Sequence, residues 1–156
     1  MGTRCNIRFN EGSLRCANIF RHWDGYPGRV SKGVQTEHGV LGDLLEFFRE
    51  LKDNVADRRF GEADCLAAKF VVWQAKKSAT ERIIGFDETG NPEKGVPHYL
   101  DFLNVAPVLK DAPDGEYLYE VDCEKRDTEG FPAIRWKPSY PESERYRTVY
   151  LSGKKG

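Results

Sequence analysis

The stretch Arg4-Cys5-Asn6-Ile7-Arg8-Phe9-Asn10-Glu11-Gly12-Ser13-Leu14-Arg15-Cys16-Ala17-Asn18-Ile19-Phe20-Arg21 sets the fold class. Cys5, Ile7 and Phe9 alternate with polar residues at the period of a half-buried strand. Asn10 to Ser13 has turn chemistry, and Leu14, Cys16, Asn18 and Phe20 resume the alternation. The pattern predicts a β-hairpin. With Glu11-Gly12 as a two-residue loop, Phe9 opposes Leu14, Ile7 opposes Cys16 and Cys5 opposes Asn18 on the core face. The other face then sets Arg8 opposite Arg15, with Arg4 and Arg21 further along. Directly opposed like charges destabilise a sheet, so a negative group is expected beside them. The run Glu116, Leu118, Glu120, Asp122, Glu124 supplies one acidic face at the right period. A bound phosphate or nucleic-acid backbone on Arg4, Arg8 and Arg15 is the other source.

Outward from the hairpin, residues 22–35 read as loop, punctuated by Gly25, Pro27, Gly28 and Gly33. Leu41, Leu44, Leu45, Phe48 and Leu51 then form a stripe at helical spacing. A second helix is predicted from about Glu62 to Lys77, with acids in its first turn and Lys76 and Lys77 in its last, the order that suits the helix dipole. Cys65 and Val72 broaden its apolar face, so it is expected to be the more buried helix. Arg82 to Phe86 reads as a short strand and Asp87 to Pro97 as an exposed loop. Tyr99 to Leu109 reads as an edge strand or an irregular packed segment, because Pro107 cannot donate to a ladder. Alternating runs at 116–123, 131–137 and 145–151 close the chain as an antiparallel meander. The expected fold is α+β, a single antiparallel sheet of about five strands with two helices on one face, in the order ββααβββ. One domain is expected over residues 1–152, with 153–156 as a frayed tail.

The chain has 156 residues, with 24 Lys and Arg against 25 Asp and Glu, so global charge gives no case for nucleic acid or an anionic membrane. The charge is uneven along the chain. Residues 1–35 carry six basic and two acidic side chains, whereas residues 111–130 carry two and eight. The 4 cysteines, Cys5, Cys16, Cys65 and Cys123, form no C-x-x-C pair, and free thiols in a reducing cytoplasm are expected. No window is long and apolar enough for a spanning helix, and the first residues lack a signal-peptide core. A cytoplasmic protein without a membrane partner is the expectation.

Chemistry concentrates in Arg21-His22-Trp23-Asp24-Gly25-Tyr26-Pro27, at the end of the second strand. Asp24-Gly25 suits a tight turn, with Gly25 free to adopt positive φ. His22 and Asp24 could serve as a base and its orienting acid, and Trp23 and Tyr26 could stack on a ring. The same residues could instead fasten the loop to the core. Neither His38 nor His98 has ligand spacing to His22, so no metal site is expected. The chain contains no P-loop, dinucleotide fingerprint, nucleophile elbow or H-E-x-x-H. No cofactor is implied.

These residues carry a resemblance. Thr3-Arg4-Cys5-Asn6-Ile7, followed by Ile19-Phe20-Arg21-His22-Trp23-Asp24-Gly25-Tyr26-Pro27, resembles a group of small uncharacterised proteins from bacteriophages, prophages and bacteria that share the HWDGYP loop. Leu66 to Trp73 and Gly115 to Asp122 extend the similarity over most of the chain. The resemblance implies an accessory factor in a bacterial host cell that acts on a host component, such as a defence complex or its nucleic-acid or nucleotide ligand. Two functions are therefore expected as alternatives. One is a non-catalytic binding protein of the host-defence inhibitor kind, contacting its partner through Arg21, His22, Trp23, Asp24 and Tyr26. The other is a small hydrolase or nucleotide- or phosphate-binding enzyme, with His22 and Asp24 as its acid–base pair and Arg4, Arg8 and Arg15 as its anion site.

Overall fold

In the computed structural model, which describes residues 3–55, 60–78, 83–95, 105–108 and 115–156, the hairpin forms as strands β1 (Cys5–Glu11) and β2 (Leu14–Arg21). Its turn is Gly12-Ser13, one residue later than predicted, with Glu11 opposite Leu14 and Gly12 left-handed at φ 56°. A bulge then leaves Asn10 opposite Arg15 but Phe9 opposite Ala17. One extra residue exchanges the two faces of a strand. Beyond the bulge Ile19 and Arg21 therefore lie on the core side with Cys5 and Ile7, whereas Asn18 and Phe20 face the other way. This corrects the predicted register: Leu14 is exposed, and Arg8 opposes Asn18 rather than Arg15.

The helices begin within a residue or two of expectation, as α1 (Val40–Asn54) and α2 (Ala63–Ser78). They are followed by β5 (Ile83–Phe86), β6 (Pro92–Lys94), β7 (Val105–Val108), β8 (Tyr117–Arg126), β9 (Pro132–Pro138) and β10 (Arg147–Val149). The main sheet has the order β10-β9-β8-β1-β2-β7. It is six-stranded, against about five expected, and mixed, because β8 lies parallel to β1, which corrects the expectation of an all-antiparallel sheet. β1 is central and pairs along both edges. Pro107 sits on the edge strand β7, where a missing donor costs least. Glu120 lies beside Arg8 across the parallel pair, so an acidic strand does neighbour the basic one, although the opposition of Arg8 and Arg15 that called for it does not form.

Two small sheets are additional to the predicted order. β3 (Arg29–Ser31) pairs with β4 (Val34–Glu37) inside the segment expected to be loop, and β5 pairs with β6 inside the predicted 87–97 loop. Of the predicted 99–109 segment only residues 105–108 are described, and His98 lies outside the described residues.

One apolar layer joins the sheet to both helices. Phe9 meets Phe70 of α2, Phe70 meets Phe47 of α1, and Phe48 stacks on Phe131 at 5.9 Å. Ile7, Ile19, Leu44, Leu66, Val121 and Ile134 fill the space between. Val72 does not extend this core as expected but is exposed, while α1 buries most of its length. The last residues are not frayed. Lys155 bridges to Asp127, and the Gly156 N–H donates to the Arg126 carbonyl at 3.0 Å. Among the described residues no helix is long and apolar enough to cross a membrane.

Candidate functional site

The loop after β2 is fastened to three parts of the fold. At its start Arg21, only 5% exposed, donates from Nη1 to Asp43 of α1 at 2.6 Å and from Nε to the Trp23 carbonyl at 2.8 Å. Lys77 of α2 also reaches Asp43, at 3.3 Å, and Glu46 at 2.5 Å. Burial alone would lower the Lys77 pKa, but these two carboxylates outweigh it and the pKa is raised. Arg21, expected as a contact residue, is thus an internal anchor on the face that the bulge turned inward.

The middle of the loop lies against the first residues of the chain. The Gly25 N–H donates to the Thr3 carbonyl at 2.8 Å, and the buried Tyr119 hydroxyl donates to the Gly25 carbonyl at 2.7 Å. A Cβ on Gly25 would stand 2.7 Å from backbone atoms of Thr3 and Arg4. Glycine is therefore required for close approach, whereas the left-handed residue is Asp24, at φ 53°. Asp is among the residues that tolerate that region. Burial pushes the Tyr119 phenol well above its ordinary range.

The end of the loop caps α1. Among the described residues no side chain caps this helix; its first donors, the N–H groups of Val40 and Leu41, bond the carbonyls of Tyr26 and Pro27 at 3.0 and 3.1 Å. The capping brings Gly39 so close to Gly28 that a Cβ on Gly39 would sit 2.4 Å from the Gly28 nitrogen.

This backbone displays an exposed set of side chains. Trp23 is 42% exposed, and His22 stands edge-on to it at 5.0 Å. Asp24 reaches His38, not His22: its carboxylate is 4.0 Å from Nε2 of His38, with both side chains more than half exposed. Tyr26 meets the same imidazole edge-on at 6.3 Å. Beside Tyr26 opens a cleft of about 560 Å³, walled by Arg29, Glu37, His38 and Arg147 over a floor that includes Trp136. Arg147 lies over the Trp136 ring at 4.9 Å. His38, Arg29, Trp136 and Arg147 were not predicted as site residues. No local pattern signals them, because long-range pairing brings them to the loop.

Of the proposed anion residues, Arg4 and Arg8 do not line this cleft. Arg4 is exposed, and its backbone pairs with Glu116. Arg8 lies on the sheet face away from the helices, and the side chain of Arg15 lies outside the described residues. Cys5 is fully buried, and burial pushes its thiol up to about 12. That environment suits a packing residue. Glu62, Asp64 and Cys65 bring three possible ligand atoms together at the start of α2. They stand at the far end of β1 from the loop, beside Glu11, which accepts the Ala63 N–H.

No family model, no curated protein and no solved structure matches this chain.

Proposed function

We propose that this protein is a non-catalytic binding module whose contact surface is the exposed part of the loop, His22, Trp23, Asp24 and Tyr26. The observation that carries this reading is a tryptophan displayed on a backbone that is hydrogen-bonded to Thr3 just ahead of β1, to Tyr119 and to the start of α1. Trp and Tyr dominate binding hot spots, and a loop held in place before binding loses little entropy on association. The resemblance to phage and prophage proteins adds a context, in which the partner is a component of a bacterial host and the module acts as an inhibitor of a defence complex.

The alternative, a small hydrolase or a nucleotide- or phosphate-binding enzyme, draws on the cleft beside the loop. There Arg29 and Arg147 supply positive charge, and Asp24 and His38 form a separated acid–base pair. At 4.0 Å this exposed pair is longer than a hydrogen bond, so the two groups do not orient one another as an acid–base pair does.

Affinity capture from a bacterial lysate, with and without nuclease, distinguishes the two when the wild type is compared with Trp23→Ala and Asp24→Ala. A retained protein lost in Trp23→Ala supports the binding module and names its target. A bound nucleotide with no retained protein supports the enzyme reading and contradicts ours.

A further inference from the structure

Between the second half of α1 and the middle of α2 runs an open groove of about 390 Å³. Phe47 and Leu51 of α1, both buried, form its floor, and Val55, Val72 and Trp73 stand along its sides. Val72 is 68% exposed, on a helix whose other apolar residues pack inward. The volume lies in the range of small-molecule sites, which are lined mainly by apolar side chains with a few polar groups among them.

The polar groups in and beside the groove are of two kinds. Glu50 is already engaged, its carboxylate accepting from the Trp73 indole N–H at 2.8 Å. Lys77, whose ammonium lies 4.8 Å from the centre of the Trp73 ring, is held by Asp43 and Glu46. Lys69 and Lys76 differ from these. Both line the groove, and neither forms an ion pair or a hydrogen bond among the described residues. Seven residues separate them on α2, two turns and roughly 10 Å along the axis, with Val72 and Trp73 between. A lysine that lines an apolar groove does so with its alkyl stem and leaves its ammonium at the rim. Two lysines against one carboxylate leave the rim positive over an apolar floor. We propose that this groove binds a single-chain amphiphilic carboxylate, a fatty acid short enough for its volume, with the hydrocarbon along Phe47, Leu51, Val72 and Trp73 and the carboxylate on Lys69 or Lys76. The site is separate from the loop surface, which caps the other end of α1.

Decanoate, kept below its micelle concentration, is titrated into the ¹⁵N-labelled full chain. Decyltrimethylammonium supplies the same tail with the opposite charge, and acetate the head without the tail. Saturable shifts are expected with decanoate, centred on the Trp73 indole N–H, which Trp73→Phe assigns, while the indoles of Trp23 and Trp136 stay still. Decyltrimethylammonium and acetate should each bind at least about tenfold more weakly. Val72→Glu, at an exposed position, sets a carboxylate in the groove and should weaken decanoate binding by roughly tenfold or more, as should Lys69→Glu combined with Lys76→Glu. Leu14→Ser, on the exposed end of the hairpin, should leave it unchanged. The comparison of the two decyl compounds uses the wild type alone, so it decides the matter even if a variant fails to fold. Absence of saturable decanoate binding, shifts centred elsewhere, or equal affinity for decyltrimethylammonium overturns the proposal. Self-association that Val72→Glu abolishes, without decanoate binding, also overturns it and assigns the groove to a second copy of the chain.

Discussion

Two side chains hold the loop in opposite ways. Arg21 and Asp43 are a buried ion pair, and removing Arg21 leaves the buried Asp43 carboxylate with only the part-exposed Lys77, at 3.3 Å, to offset its charge. Arg21→Met should therefore cost about 3–5 kcal/mol in urea unfolding. Arg21→Met combined with Asp43→Leu should recover much of that loss. Tyr119 is a neutral donor to Gly25, and Tyr119→Phe should cost about 1 kcal/mol. Its titration gives a second readout. A phenol whose pKa is raised in the folded state contributes stability below its unfolded value of 10.0, and that contribution is lost as pH rises toward the folded value. Tyr146 is raised in the same direction, by burial and by Glu120. Wild-type stability should thus fall above about pH 10, and less steeply in Tyr119→Phe, as followed by urea midpoints.

At the scale of elements, α1 was legible because Leu41, Leu44, Leu45, Phe48 and Leu51 repeat at helical spacing, and every one is buried. α2 was legible from its stripe and end charges. The bulge in the hairpin was not, because the alternation reads equally well with either turn. The one-residue difference sent Arg21 inward and Asn18 outward. β3 and β4 escaped notice because short, largely exposed strands need no apolar alternation. Within the loop, the run from His22 to Tyr26 stood out from its composition, but the pairing of Asp24 with His38 depends on the α1 cap and leaves no local trace. The cap itself can be tested. Gly39→Ala, whose Cβ would collide with Gly28, should cost more than about 1 kcal/mol by urea midpoint, where an uncrowded glycine would tolerate alanine.

Over the whole molecule, non-local pairing decided what the sequence could not specify. The parallel contact of β1 with β8 joins segments more than a hundred residues apart, and it places Glu120 beside Arg8. The charges at 111–130 and 1–35 thereby become neighbours in one sheet. The interior is also a barrier to thiol chemistry. Cys5 and Cys123 are buried, while Cys65 is half-buried at the start of α2. Of these three, a disulfide-exchange reagent should label Cys65 in the native protein and reach Cys5 and Cys123 only after unfolding, as mapped by peptide mass spectrometry.

The claim that Trp23 is displayed rather than anchored is tested most directly by the melting temperature of Trp23→Ala. A surface side chain away from core contacts changes stability by about 0.5 kcal/mol or less, which for a chain of this length is a shift within about 2 °C. That is the predicted result. A fall of about 10 °C, the scale of deleting a buried tryptophan, would contradict the account and make the loop a structural plug.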